Sequence, residues 1–178
     1  MDSNNRQQTE DVIRNLDGRE AVEKIQEIVK SAETCFFCTS AQPNGAMNAR
    51  PMNVRQVDEE GNFWFLSAKE SRKNAELTTN PVVTLFLQGS PHSDFLHIEG
   101  EGTVLTDRAK LDELWTPLIK AWFTEGKDDP RISLIKVTPR KGYYWDNKHG
   151  DFIAAAKFMF GAIAGKPMDD SVTGTILP

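Results

Sequence analysis

The sequence predicts an α+β domain: an antiparallel β-barrel of six to seven strands, closed or nearly closed, with flanking helices. Three observations carry this. From Cys35 onward the apolar pattern changes from a period of 3.6 to a period of two, the mark of strands. Turn signals such as Asn44-Gly45 and Asp58-Glu59-Glu60-Gly61-Asn62 follow closely enough to make hairpins. The helical period returns in only a few places, so helices interrupt the strands instead of alternating with them.

The chain has 178 residues, which suits one domain able to bury a core without staples. Its 21 basic and 26 acidic residues give a net charge of −5, which argues against general binding to nucleic acid or anionic membranes. Against that background the local cations Arg50, Arg72 and Lys73 stand out. There is no apolar run of about 18 residues, and the polar start MDSNNRQQTED has no secretory apolar region. The expectation is a soluble cytoplasmic protein with no membrane and no nucleic-acid partner.

In order, residues 1–8 read as loose, and Val12, Ile13 and Leu16 begin an apolar stripe that Asp17-Gly18 stops. Asp17 with Glu20 gives a capping signal, and Val22, Ile25, Ile28 and Val29 form one face of a helix over about 19–32. Strands follow at Cys35–Ala41, Met47–Val57 and Phe63–Ala68. A short helix begins near Ser71 and ends at Asn80-Pro81. Val82–Leu87 and Phe95–Leu105 are the next strands, with Gly100 and Gly102 marking bulges or a bend. Leu111, Leu114, Trp115, Leu118, Ile119 and Trp122 then read as the core stripe of a second long helix, with Pro117 starting a new segment. Ser133–Thr138 and Lys141–Trp145 are two further strands separated by Pro139. Phe152–Ala164 is a third helix, apolar almost all round, which must be covered by its own core or by a second subunit. The tail, 166–178, shows no period. As domains, 1–18 is an extension, partly helical, 19–150 the barrel, and 151–178 a helix and tail.

Cys35 and Cys38 form a C-x-x-C, but in a strand positions three apart face opposite sides, so they read as buried structural thiols. His92, His97 and His149 have no ligand spacing, and no metal site is expected. Neither a dinucleotide-binding glycine motif nor a P-loop is present, and no catalytic residues can be named.

The informative stretch is Met47–Leu77. After the third strand come Ser67-Ala68-Lys69-Glu70-Ser71-Arg72-Lys73, hydroxyls and cations at a strand-to-helix junction. The first N–H groups of a helix are unpaired and attract anions, and Arg50 on the preceding strand can reach the same place. This fits a phosphorylated ligand. It fits equally a Ser67-x-x-Glu70 capping box with Arg72 and Lys73 facing water.

Arg50-Pro51-Met52-Asn53-Val54, Phe65-Leu66-Ser67, Ser71-Arg72-Lys73 and Gly142-Tyr143-Tyr144-Trp145 together resemble the pyridoxamine 5′-phosphate oxidase-like family, in its bacterial general stress protein subgroup. The likeness runs from about Glu20 to His149 and implies a Greek-key split barrel that binds FMN, with FAD or another flavin-like ligand as alternatives. It carries flavin contacts to Arg50, Met52, Asn53 and Val54, phosphate contacts to Leu66, Ser67, Ser71, Arg72 and Lys73, and a ring contact to Trp145. It also implies a homodimer with flavin between the subunits. Leu111–Pro117 and the end of the chain lack the substrate pattern of the true oxidase, and Arg55 stands where the oxidase has Lys, so oxidation of vitamin B6 is not expected. Two functions remain open: flavin-dependent redox chemistry on an unknown small molecule, or a flavin-binding stress protein that stores, buffers or senses flavin without turnover.

Overall fold

The computed structural model describes residues 13–42, 45–91, 94–147 and 171–178. The expected third helix at 152–164, the Pro43-Asn44 half of the first hairpin turn, and Lys148-His149 lie outside the described residues.

The described elements are β1 (Leu16–Asp17), α1 (Gly18–Ala32), β2 (Thr34–Thr39), β3 (Asn48–Asn53), β4 (Gln56–Val57), β5 (Phe63–Ala68), α2 (Arg72–Thr79), β6 (Val82–Gln88), β7 (Phe95–Leu105), α3 (Arg108–Leu114), β8 (Ile132–Asn147) and β9 (Ser171–Leu177). Strands run side by side in the order β1-β9-β8-β7-β6-β2-β3, while β5 pairs with both β8 and β4. The ring closes through the chain itself. At the seam between β3 and β4, Val54 N donates to Glu33 O and Arg55 N donates to Trp64 O, so the backbone passes from the β2 side to the β5 side in one step. The predicted strand Met47–Val57 is thereby two strands, one on each side of the seam.

Alternation decides what fills the barrel. Cys35, Phe37, Phe65, Leu85, Leu87, Leu96, Ile98, Ile135 and Val137 point inward and are buried, and Phe37 meets Phe65 edge to face at 5.1 Å. The inner face of α1, with Ile25, Ile28 and Val29, joins this core. Near Gly89, at the end of β6, a Cβ would stand 3.0 Å from that of Ser31 on α1. Leu77 of α2 packs at the other end, against Gly102 and Val83. The two helices therefore close opposite ends of the barrel.

Strand β8 corrects the predicted break at Pro139: residues 132–147 are continuous. Pro139 lies opposite Gly100 and Lys141 opposite Glu99, which leaves Arg140 bulged. Gly100 passes so close that a Cβ would lie 2.4 Å from the Thr138 carbonyl oxygen. A proline without an N–H is tolerated at this irregularity, where the ladder is already interrupted. The first half of β8 pairs with β5 and the second half with β9, while β7 runs along both.

Two other expectations change. The long helix after β7 is only α3, followed by a 3₁₀ turn at Pro117–Ala121. Trp115 and Thr116 are extended, as the residue before a proline prefers. Leu111, Leu114, Ile119 and Phe123 fill a second core cluster with Trp64, Ile132 and Leu134. Leu118 and Trp122, however, are 79% and 71% exposed and are not core. The end of the tail pairs as β9, Tyr144 opposite Gly174, and β1 runs parallel to it.

Candidate functional site

The site is built where β2, β3 and α2 meet. Register fixes which side chains share its floor: Phe37 pairs with Arg50 and Thr39 with Asn48, so Thr39, Asn48 and Arg50 lie on the inward face. One turn into α2, Glu76 points into the same end of the barrel and is only 3% exposed. Its Oε2 accepts from Thr39 Oγ1 at 2.5 Å and from Arg50 Nη2 at 2.9 Å. Its Oε1 accepts from Asn48 Nδ2 at 2.7 Å and pairs with Arg72 Nε at 3.2 Å. Arg50 Nη1 in turn donates to Thr39 Oγ1 at 2.5 Å. Burial pushes the Glu76 carboxyl upward, but the hydrogen bonds from Thr39 and Arg50 and the charges of Arg50 and Arg72 outweigh it and hold it below the usual glutamate range.

Lys73 completes the cluster. It is half-buried, has no ion-pair partner among the described residues, and its ammonium is pushed down by burial first and then by the charge of Arg50. Arg50 and Arg72 pair with Glu76 and Lys73 lies within the field of Arg50, so three cations stand against one carboxylate, an excess of two positive charges. The start of α2, which carries Arg72 and Lys73, has no side-chain cap: Ser71 is the N-cap residue, and its side chain bonds no helix N–H. Its hydroxyl lies 3.0 Å from that of Ser67 instead. Ser67 and Glu70 therefore do not form the reciprocal capping box that the sequence allowed.

Ser67 is a structural pin as well. Its hydroxyl donates to Asn74 Oδ1 at 2.8 Å, Asn74 Nδ2 donates to Ser133 Oγ at 2.8 Å, and Ser133 Oγ donates to the Ser67 carbonyl at 3.0 Å. This buried ring fixes the first turn of α2 to β5 and β8. The structure accordingly brings Arg50, Ser67, Ser71, Arg72 and Lys73 together. Met52 lies on the inward face beyond Arg50, packed against the core. Val54 is buried at the seam, and Asn53 is exposed, donating to Glu33 O and accepting from Arg55 Nη1. The Leu66 side chain turns the other way, toward the second core cluster.

Trp145 stands apart from this cluster by face: Arg50 points inward, whereas Trp145 is exposed on the outward side of β8, next to buried Tyr144. There it meets Tyr143 edge to face, with centroids 4.6 Å apart. It also borders an apolar cleft of about 480 Å³ whose wall includes Phe36, Pro51, Phe86 and His97. Pro51, Phe36, Phe86, His97 and Tyr143 are successive register partners across β3, β2, β6, β7 and β8, and so form one outward row. Phe86 and His97 stack at 5.0 Å. Phe36, Phe86 and Trp145 are exposed.

Sequence reasoning missed Glu76, Thr39 and Asn48. The spacing of four between Arg72 and Glu76 was a readable signal for their ion pair. Thr39 and Asn48 join only through strand register. Both cysteines are free and buried, and burial pushes the Cys35 thiol up to about 12. Among the described residues no group of His, Cys, Asp and Glu could hold a metal ion, and no helix is long and apolar enough to cross a membrane.

A split barrel closed by two helices, with a cationic pocket at the start of the second, is the class of protein that this fold and site define. The chain belongs to the pyridoxamine 5′-phosphate oxidase-like family, whose model matches residues 20–169. It is similar to a general stress FMN/FAD binding protein from Xanthomonas citri, with 28% identity, a TM-score of 0.64, and coverage of 75% of this chain and 94% of that one. A candidate general stress protein 26 from Jannaschia sp. CCS1 shares the fold, with a TM-score of 0.74 at 20% identity over 89% of this chain and 99% of that one. Among curated proteins it resembles protein bli-3 of Neurospora crassa, 23% identical over 155 residues, covering 82% of this chain and 74% of bli-3.

Proposed function

We propose that this chain is an FMN-binding protein whose phosphate site is the start of α2. One observation carries the reading: Arg50, Arg72 and half-buried Lys73 converge on a helix start that no side chain caps, with Glu76 the one carboxylate among them. Burying a lysine without an ion pair is unfavourable unless an anion joins it, and a phosphate monoester carries nearly two negative charges at neutral pH. The Xanthomonas citri relative, described as FMN/FAD binding, supports a flavin as the bearer of that phosphate.

In this reading Arg50, Arg72, Lys73 and the free N–H groups of α2 hold the phosphate, with Ser67 and Ser71 shaping the turn. Met52, Asn53 and Val54, at and just after the end of β3, would hold the ring. Trp145 lies on the outward face while the phosphate cluster faces inward, so the reading places Trp145 in the site of a second copy. The exposed row of Phe36, Phe86 and Trp145 is apolar enough to be the contact, and a homodimer follows. A bound flavin would supply one- or two-electron transfer, and this chain's residues would orient it and exclude water. The reaction assigned is redox chemistry on a small molecule.

The test is an FMN titration of the purified protein, followed in the visible absorption of the flavin. A Kd of about 1 μM or tighter, roughly −8 kcal/mol, is expected. Absence of binding to both FMN and FAD would overturn the reading. Bound FMN that neither NADH nor NADPH reduces would make the protein a flavin store and not a reductase.

A further inference from the structure

We infer that Glu76 is the positioning residue of the anion site: it holds Arg50 and Arg72, one on each carboxylate oxygen, so that their remaining N–H groups face the ligand. The inference rests on the FMN reading above.

Its basis is an apparent contradiction. A carboxylate among three cations weakens the attraction for a phosphate, so charge alone argues against having one there. Yet Glu76 is almost wholly buried, accepts hydrogen bonds from three side chains, Thr39 on β2 and Asn48 and Arg50 on β3, and forms an ion pair with Arg72 on α2 itself. The two guanidinium groups are held differently. Arg50 is fixed by two contacts, Nη1 on Thr39 and Nη2 on Glu76, and is partly buried. Arg72 is 82% exposed, and among the described residues its ion pair is made through Nε to Glu76 Oε1 at 3.2 Å and not through the Nη fork. A long exposed side chain loses considerable rotamer freedom when it grips a ligand, and a partner already holding Nε removes part of that loss. Glu76 thus gives up some electrostatic attraction in exchange for two arginines set in place before the ligand arrives.

The two roles predict opposite signs for Glu76→Gln, which keeps shape but removes the charge. If Glu76 merely dilutes the positive field, FMN binds more tightly to the variant. If it positions the arginines, FMN binds at least about tenfold more weakly although the site has gained a net positive charge. A double-mutant cycle with Arg72→Ala supplies a readout that a purely structural role would not move. Arg72→Ala should cost FMN affinity in the wild type and much less in the Glu76→Gln background, because Gln has already released that side chain. Tighter or unchanged binding in Glu76→Gln, or additive losses in the cycle, would overturn the inference. Should Glu76→Gln not fold, Thr39→Val decides: it removes the hydroxyl shared by Arg50 and Glu76 and should weaken FMN severalfold, and unchanged affinity overturns the inference. A wild-type protein that binds no FMN fails at the earlier step and refutes the FMN reading instead.

Discussion

Arg50 Nη2 stands 2.9 Å from Glu76 Oε2, joining β3 to α2 across 26 residues of sequence. The pair lies at the end of the barrel that α2 closes, and its stability consequence has a definite sign. The Glu76 carboxyl is held below its ordinary value in the folded state, so its contribution is fully present above the unfolded pKa of about 4.3 and is lost as pH falls through the folded value. Urea unfolding of wild type and Glu76→Gln should differ most at neutral pH, with the gap closing in acid. A gap that stays constant with pH would mean that the glutamate's charge contributes nothing.

Lys73 has the opposite character. Its folded environment disfavours the ammonium, so Lys73→Met should leave the melting temperature of the ligand-free protein unchanged or higher. The same change should weaken FMN by about tenfold to a hundredfold, the worth of one charge-assisted hydrogen bond. Calorimetry with and without FMN measures both, and a variant that melts lower without ligand contradicts this account.

Asn74 bridges Ser67 and Ser133 inside the protein. Asn74→Ala leaves both hydroxyls short of a partner and should cost about 1–3 kcal/mol in chemical denaturation. Hydrogen exchange should rise first in α2, because that ring ties its first turn to β5 and β8. Protection that falls evenly over the whole barrel would show that the ring has no local role.

The outward row of Phe36, Phe86 and Trp145 is the expected dimer contact. Phe36→Asp places a charge in this row and should convert the proposed dimer to monomer in sedimentation velocity, with FMN affinity falling alongside. Trp145→Ala should alter bound-flavin fluorescence while the phosphate cluster is untouched. A Phe36→Asp protein that sediments as the wild type does would move the interface elsewhere.

Cys35 is sealed in the core and its thiol is pushed up to about 12. A neutral-pH thiol reagent should leave it unmodified in the native state and label it after unfolding. Rapid native labelling would show that β2 opens locally.

The sequence by itself determined the local elements: α1 from its apolar face, β5 and β7 to the residue, the end of α2 at Asn80-Pro81, and the phosphate-like pattern Ser71-Arg72-Lys73. Those signals are short-range, since period and turn chemistry are written within a few residues of each other. The tertiary structure decided the rest. Pro139 reads as a strand break until the bulge opposite Gly100 accommodates it. The end of the tail carries no period because β9 takes its partners from β1 and β8, far away in sequence. Leu118 and Trp122 share a helical spacing with core residues, yet Thr116-Pro117 ends the helix and turns them outward. Glu76 looked like any helix-surface glutamate. Only strand register, by setting Thr39, Asn48 and Arg50 side by side on the inward face, makes it the buried centre of the site. Such pairings cost nothing locally and appear nowhere in a local pattern, because they exist only once the barrel has closed.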